Sequence, residues 1–125
     1  MDHAIADQIY AKFAKCLNDG DMEGLIDFYE PDAVFVRGPG DHVSGSAELR
    51  AALQGFLDTK GQISIKVRHA VQNGDIALFS NEYTLQGNDP EGKPFTMSGK
   101  TSEVLRRQPD GRWLFIIDHP SGAED

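Results

Sequence analysis

Glu103 and Asp118 are the residues whose types and spacing point most directly to chemistry. Each sits in a β-rich run, one around Thr101-Ser102-Glu103-Val104-Leu105 and one through Trp113-Leu114-Phe115-Ile116-Ile117-Asp118-His119. A four-residue loop at Gln108–Gly111 would put Thr101, Glu103, Leu105, Leu114, Ile116 and Asp118 on one face of the hairpin. Val104, Trp113, Phe115, Ile117 and His119 then fall on the other. Carboxyl groups on an apolar, concave face lose solvation, keep their protons to higher pH and can serve as acid or base. The plainer alternative is a structural ion pair with Arg37 or with a side chain at the rim, since such networks also perturb carboxylates.

His69 belongs to an alternating run with Ile65, Val67 and Val71. A three-residue loop at Asn73-Gly74-Asp75, with Gly74 left-handed, sets Val71 opposite Ala77, His69 opposite Phe79, Val67 opposite Asn81 and Ile65 opposite Tyr83. Lys66 then faces Glu82 on the reverse side, a favourable charge pair. In this register His69 is a candidate proton shuttle, or else a core histidine held by one hydrogen bond. Asn81 and Tyr83 supply hydrogen-bonding points on an otherwise apolar wall, or satisfy one another and the backbone. His119 reads as an interface or pocket-edge residue.

Other chemistries find little support. There is no His-x-His and no paired cysteine, so no metal site is expected. Gly38-Pro39-Gly40 does not lead into a helix, as a phosphate-cradling loop must. Cys16 lies on a buried helical stripe and reads as an inert thiol. No cofactor is implied.

The elements that must position these groups are three helices and a run of strands. Ile5, Ile9, Phe13, Cys16 and Leu17 recur at helical spacing, and Asn18-Asp19-Gly20 stops that helix. Asp21 caps a short second helix carrying Met22, Leu25, Ile26 and Tyr29, closed by Pro31. Ala33–Arg37 is a short strand, with a further extended piece at Val43. Ser46 caps a third helix with Leu49, Leu53, Phe56 and Leu57 as its stripe, ended by Gly61. Strands follow from Ile63 to Val71, Ile76 to Gln86, Phe95 to Arg107 and Arg112 to His119. Helices followed by an antiparallel meander make an α+β pattern, the sheet curling around the helices. The last strand is apolar on both faces. Helices cover only one, so a second copy of the chain across a two-fold axis is expected on the other.

Size and composition fit this reading. The chain has 125 residues, 39% hydrophobic and 26% charged, as one globular domain over residues 1–125 would. With 20 acidic against 12 basic residues the net charge is -8. No basic stripe exists to bind nucleic acid. The single cysteine excludes an intrachain disulfide, no run is apolar enough to span a membrane, and Met1-Asp2-His3 lacks the basic head of a secretory signal. A cytoplasmic location is expected.

Four stretches carry a resemblance: Asn18-Asp19-Gly20-Asp21-Met22-Glu23-Gly24-Leu25, Tyr29-Glu30-Pro31-Asp32-Ala33-Val34-Phe35, Val43-Ser44-Gly45-Ser46-Ala47-Glu48-Leu49-Arg50, and Asp110-Gly111-Arg112-Trp113 through Asp118-His119. Together they resemble the nuclear transport factor 2/ketosteroid isomerase superfamily across nearly the whole chain, nearest to its SnoaL-like, polyketide cyclase-related members. The resemblance implies a cone-shaped fold, a curved antiparallel sheet wrapped around three helices and enclosing a pocket. The face bearing Phe79, Asn81, Tyr83, Thr101, Glu103 and Asp118 would look into it. The superfamily's steroid isomerases need a tyrosine donor, a carboxylate base and a protonated sheet acid. Those positions fall on Phe13, on or beside Arg37, and on Glu103. With donor and base missing, steroid isomerisation by that mechanism is not expected. The polyketide cyclases use a pocket aspartate as base, and Asp118 lies in the matching region.

Two functions follow. One is a homodimeric pocket protein binding a small, partly apolar organic molecule, with cofactor-independent acid/base chemistry by Glu103, Asp118 and His69. Phe13, Arg37, Phe79, Asn81, Tyr83, Thr101 and Ile116 would line its ligand site. The other is a non-catalytic ligand-sensing or association domain. A chain without appended domains slightly favours the first.

Overall fold

The computed structural model of the chain describes residues 1–122. Its elements are α1 (His3–Asp19), α2 (Met22–Ile26), β1 (Tyr29–Gly38), β2 (Asp41–Ser44), α3 (Ser46–Leu57), β3 (Gln62–Asn73), β4 (Ile76–Asn88), β5 (Pro94–Arg107) and β6 (Trp113–His119). The six strands form one curved, open sheet in the order β2-β1-β6-β5-β4-β3. All neighbours are antiparallel except β1 and β6, which are parallel. The expected all-antiparallel sheet is corrected at that one pair, because β1 leaves the helices in the direction in which β6 later returns.

Asp2 caps α1 through the Ala4 amide at 2.9 Å, and Gly20, left-handed at φ 68°, ends it. The buried face is Ala6, Tyr10, Phe13 and Leu17, while Ile5 is exposed. The stripe is thus rotated from the expected one, and Tyr10 takes an inward position. A buried tyrosine is tolerated there because its hydroxyl finds a partner. Asp21 does cap α2, accepting from the Gly24 amide at 3.0 Å. That helix stops at Ile26, however, before Pro31 is reached, and Tyr29 opens β1 instead of riding on α2. The cap of α3 is Gly45 at φ 92°, one residue before Ser46.

Beneath the helices, aromatic rings meet edge to face. Tyr10 packs on Phe79 with centroids 5.4 Å apart, and Phe13 on Phe115 at 5.2 Å. Each such pair adds about 0.5–1.5 kcal/mol beyond the area it buries.

Two bulges decide which side chains face inward. The β3–β4 turn is shorter than expected: Asn73 pairs with Ile76, leaving Gly74 at φ 61° and Asp75 as the loop. Near this turn His69 pairs with Ser80 and Val71 with Leu78. Arg68 is then an extra residue, and beyond it Val67 pairs with Asn81, Lys66 with Glu82 and Ile65 with Tyr83, as expected. The ion pair to Glu82 comes from the bulged Arg68, at 3.4 Å. In the last hairpin Arg107 pairs with Trp113 and Leu105 with Phe115. Ile116 is the extra residue, after which Ile117 pairs with Val104 and Asp118 with Glu103.

Candidate functional site

α1, β1, β4, β5 and β6 converge on a cavity of about 270 Å³. Tyr10, Tyr29, Asn81, Thr101, Glu103 and Asp118 supply its polar atoms. Leu53, Phe56, Ile63, Ile65, Leu85 and Met97 give it an apolar body. A second hollow, of about 360 Å³, lies between α1 and the start of β6 around Ile9, Phe28 and Trp113. It contains neither buried acid, so the first cavity is the candidate site.

Glu103 is 4% exposed and Asp118 7% exposed. Glu103 Oε1 accepts from the Tyr10 hydroxyl at 2.9 Å and from Asn81 Nδ2 at 2.8 Å. Burial, and then the negative charge of Asp118, push the Glu103 carboxyl up to about 8, against the pull of Thr101, Tyr10 and Asn81. Asp118 accepts from the Tyr29 hydroxyl at 2.6 Å. Burial raises it to about 6, and that hydrogen bond holds it down. Both phenols are pushed well above their usual value, by burial first and by their acid partners second, so they stay neutral donors. No basic side chain lines the cavity among the described residues. Near neutral pH the two acids therefore hold one proton between them, with apparent values of about 6 and 8.

Phe13, Asn81, Tyr83 and Thr101 line this cavity with the two acids. Four expected site residues do not. His69 is exposed, because the Arg68 bulge reverses the faces between itself and the turn. Arg37, the extra residue where the β1–β2 register shifts, is exposed and bonds Asp41 through Nε at 3.2 Å and Nη2 at 2.9 Å. It is no counter-ion for Glu103. Phe79 faces inward but lies fully buried under Tyr10, as core rather than lining. Ile116 is the bulged residue of β6, and Phe115 takes the inward place beside Leu105.

Sequence reasoning missed both tyrosines. Tyr10 stands one helical turn before Phe13, so the donor absent at Phe13 is present one turn earlier. Tyr29 was hidden by its assignment to the second helix. Among the described residues no group of three or more His, Cys, Asp or Glu could hold a metal ion, and no helix is long and apolar enough to cross a membrane.

The family model of the SnoaL-like domain matches residues 10–116. The chain belongs to the SnoaL-like domain family. No match to this SnoaL-like sequence is found among curated proteins. Solved structures share its fold from end to end. A ketosteroid isomerase-like protein from Erwinia carotovora superposes with a TM-score of 0.81 at 19% identity, covering 98% of this chain and 96% of that one. A candidate dehydratase of the NTF2-like family from Streptomyces avermitilis gives 0.80 at 20%, covering 99% and 98%. A candidate calcium/calmodulin-dependent protein kinase II association domain from Xanthomonas campestris gives 0.81 at 21%, covering 100% and 90%. At these identities the likeness carries the fold. Function must be argued from the site.

Proposed function

We propose that this SnoaL-like chain binds a small, partly apolar organic molecule in the cavity and performs cofactor-independent acid/base chemistry on it. One observation carries the reading: two buried acids stand opposite each other with no cation lining their cavity among the described residues, and their environments separate their proton affinities. Near pH 7 Asp118 is the base, its ionised form supported by Tyr29. Glu103 is the acid, held in place by Tyr10 and Asn81. On a carbonyl compound Asp118 would take a proton from the carbon next to the carbonyl, while Glu103 donates to the carbonyl oxygen as it gains charge. Return of both protons completes an isomerisation or an exchange.

The test is hydrogen exchange. Small cyclic ketones incubated with the protein in heavy water should exchange their α-hydrogens faster than in buffer, by NMR. Asp118→Asn and Glu103→Gln should each slow this by about 10²-fold or more. Exchange at the buffer rate with every ketone, or exchange unchanged in both variants, would remove the catalytic reading.

The outer face of the sheet supports a homodimer, and with it the second reading, an association domain. Val71, Leu78, Val104, Ile117 and Val34 form one continuous cross-strand row over five strands. The helices pack on the opposite face, and Leu78 is 50% exposed. A second copy related by a two-fold axis would bury this row against itself.

A further inference from the structure

Among the described residues, two buried oxygens on side chains that line the cavity take no hydrogen bond, Glu103 Oε2 and Asn81 Oδ1. A third such atom, Ser80 Oγ, lies on the outer face of the sheet, opposite Ser102, and does not concern the site. The first two belong to side chains already in contact, Asn81 Nδ2 lying 2.8 Å from Glu103 Oε1. Asn81 is 1% exposed, so water reaches neither group freely. Leaving a buried polar atom unpaired costs about 1–3 kcal/mol. Two together on one wall mark a place built to receive something.

The two atoms ask for different partners. Glu103 Oε1 already accepts two donors, from Tyr10 and Asn81, so the acid proton of the neutral carboxyl resides on Oε2. Thr101, two residues along, accepts from the Asn81 backbone amide at 3.3 Å, and although its hydroxyl helps hold the Glu103 carboxyl down, Oε2 has no hydrogen-bond partner. Oε2 is therefore a donor toward the cavity. Asn81 Oδ1, turned away as Nδ2 binds Glu103, can only accept.

We propose that this wall of the cavity recognises a neutral carboxamide or lactam, whose carbonyl oxygen accepts from Glu103 Oε2 and whose N–H donates to Asn81 Oδ1. The proposal rests on the pocket reading above and names the class of head group that the pocket takes. A ketone satisfies only the first contact. A carboxylate has no proton for Asn81 and brings negative charge beside Asp118. The apolar walls from Leu53, Phe56, Ile63, Ile65 and Leu85 require a hydrocarbon body on the amide. A cavity of about 270 Å³ stands at the small end of ligand pockets, about 300–1,000 Å³, and suits a compact body such as a single ring or a short branched chain.

The test is a matched ligand series titrated calorimetrically into the wild-type protein near pH 7: cyclohexanecarboxamide, cyclohexyl methyl ketone and cyclohexanecarboxylate. The amide should bind at least about tenfold more tightly than the ketone, and the carboxylate most weakly, because a site built for an N–H penalises its absence. Asn81→Leu should erase the difference between amide and ketone. Glu103→Gln, which keeps a donor near the place of Oε2, should retain the preference and hold it near pH 9, where the wild type loses it. Equal binding of amide and ketone would overturn the amide proposal and leave the pocket standing. Failure of all three to bind at millimolar concentration would overturn both.

Discussion

Glu103 and Asp118 are direct cross-strand neighbours on β5 and β6, and each holds a tyrosine hydroxyl, from Tyr10 at 2.9 Å and Tyr29 at 2.6 Å. Two acids on adjacent strands cannot both ionise cheaply away from water. The fold answers with neutral phenol donors, not with a cation, so one acid keeps its proton.

Folding stability should fall as pH rises. Both acids are held above their ordinary values in the folded state, so their contribution is fully present below about pH 4 and is lost as pH rises through about 6 and then about 8. Between about pH 6 and 8 only Glu103 still holds its extra proton, and stability should drop by about 1.4 kcal/mol per pH unit. Chemical denaturation across this range should show the slope in the wild type and a flat profile in Glu103→Gln.

Near pH 7 Glu103→Gln should raise stability, by as much as about 3 kcal/mol, because the wild-type chain must take up a proton at Glu103 to fold and glutamine need not. Glutamine still accepts from Tyr10 and Asn81, and no buried partner loses its charge. Had Arg37 been the counter-ion, the same change would strand a cation at a cost of about 3–5 kcal/mol. Arg37 is engaged with Asp41 at the surface instead. Thermal melts of Glu103→Gln and Arg37→Ala separate the two cases, and a large loss in the first would contradict the cation-free site.

Tyr29→Phe removes the donor that supports ionised Asp118. Stability at neutral pH should fall by about 1.5–3 kcal/mol, the usual value of a hydrogen bond to a charged group. The more telling readout is the pH profile of the exchange reaction. Its acidic limb should move to higher pH, because Asp118 without Tyr29 keeps its proton longer. An unmoved limb would mean that Asp118 is not the base.

How much of this could be read from the sequence depended on the bulges. Strand alternation predicts faces only until the first extra residue, and a one-residue slip turns every later side chain over. His69 fell on the wrong face because Arg68 bulges. Asp118 came out right because two departures cancel. The final turn is one residue longer than expected, which alone would have turned Asp118 outward, and the bulge at Ile116 turns it back. Phe115, before that bulge, got no such correction. Glu103, Asn81, Tyr83 and Thr101 lie beyond the disturbed ends of their strands, and their faces were legible. Tyr10 and Tyr29 were not. Helical periodicity gives the width of a stripe but not its rotation against a sheet, and a Tyr ahead of Pro31 suits a helix end and a strand start equally.

The outer row predicts the assembly state. Leu78→Lys should convert a dimer to a monomer in sedimentation velocity at micromolar concentration with little loss of fold. A charge at Phe115, by contrast, would strike a residue 1% exposed in the core and would test folding instead. A wild-type monomer at that concentration would end the dimer proposal.

The central claim is that a buried acid pair shares one proton at neutral pH. The most direct measurement is a carbon-13 NMR titration of the side-chain carboxyls in protein labelled at Glu and Asp. One glutamate resonance should titrate near 8 and vanish in Glu103→Gln, and one aspartate resonance should titrate near 6 and vanish in Asp118→Asn. Titration of both groups in the ordinary range of about 3 to 5 would mean that the pair is ionised at neutral pH, and would contradict the account.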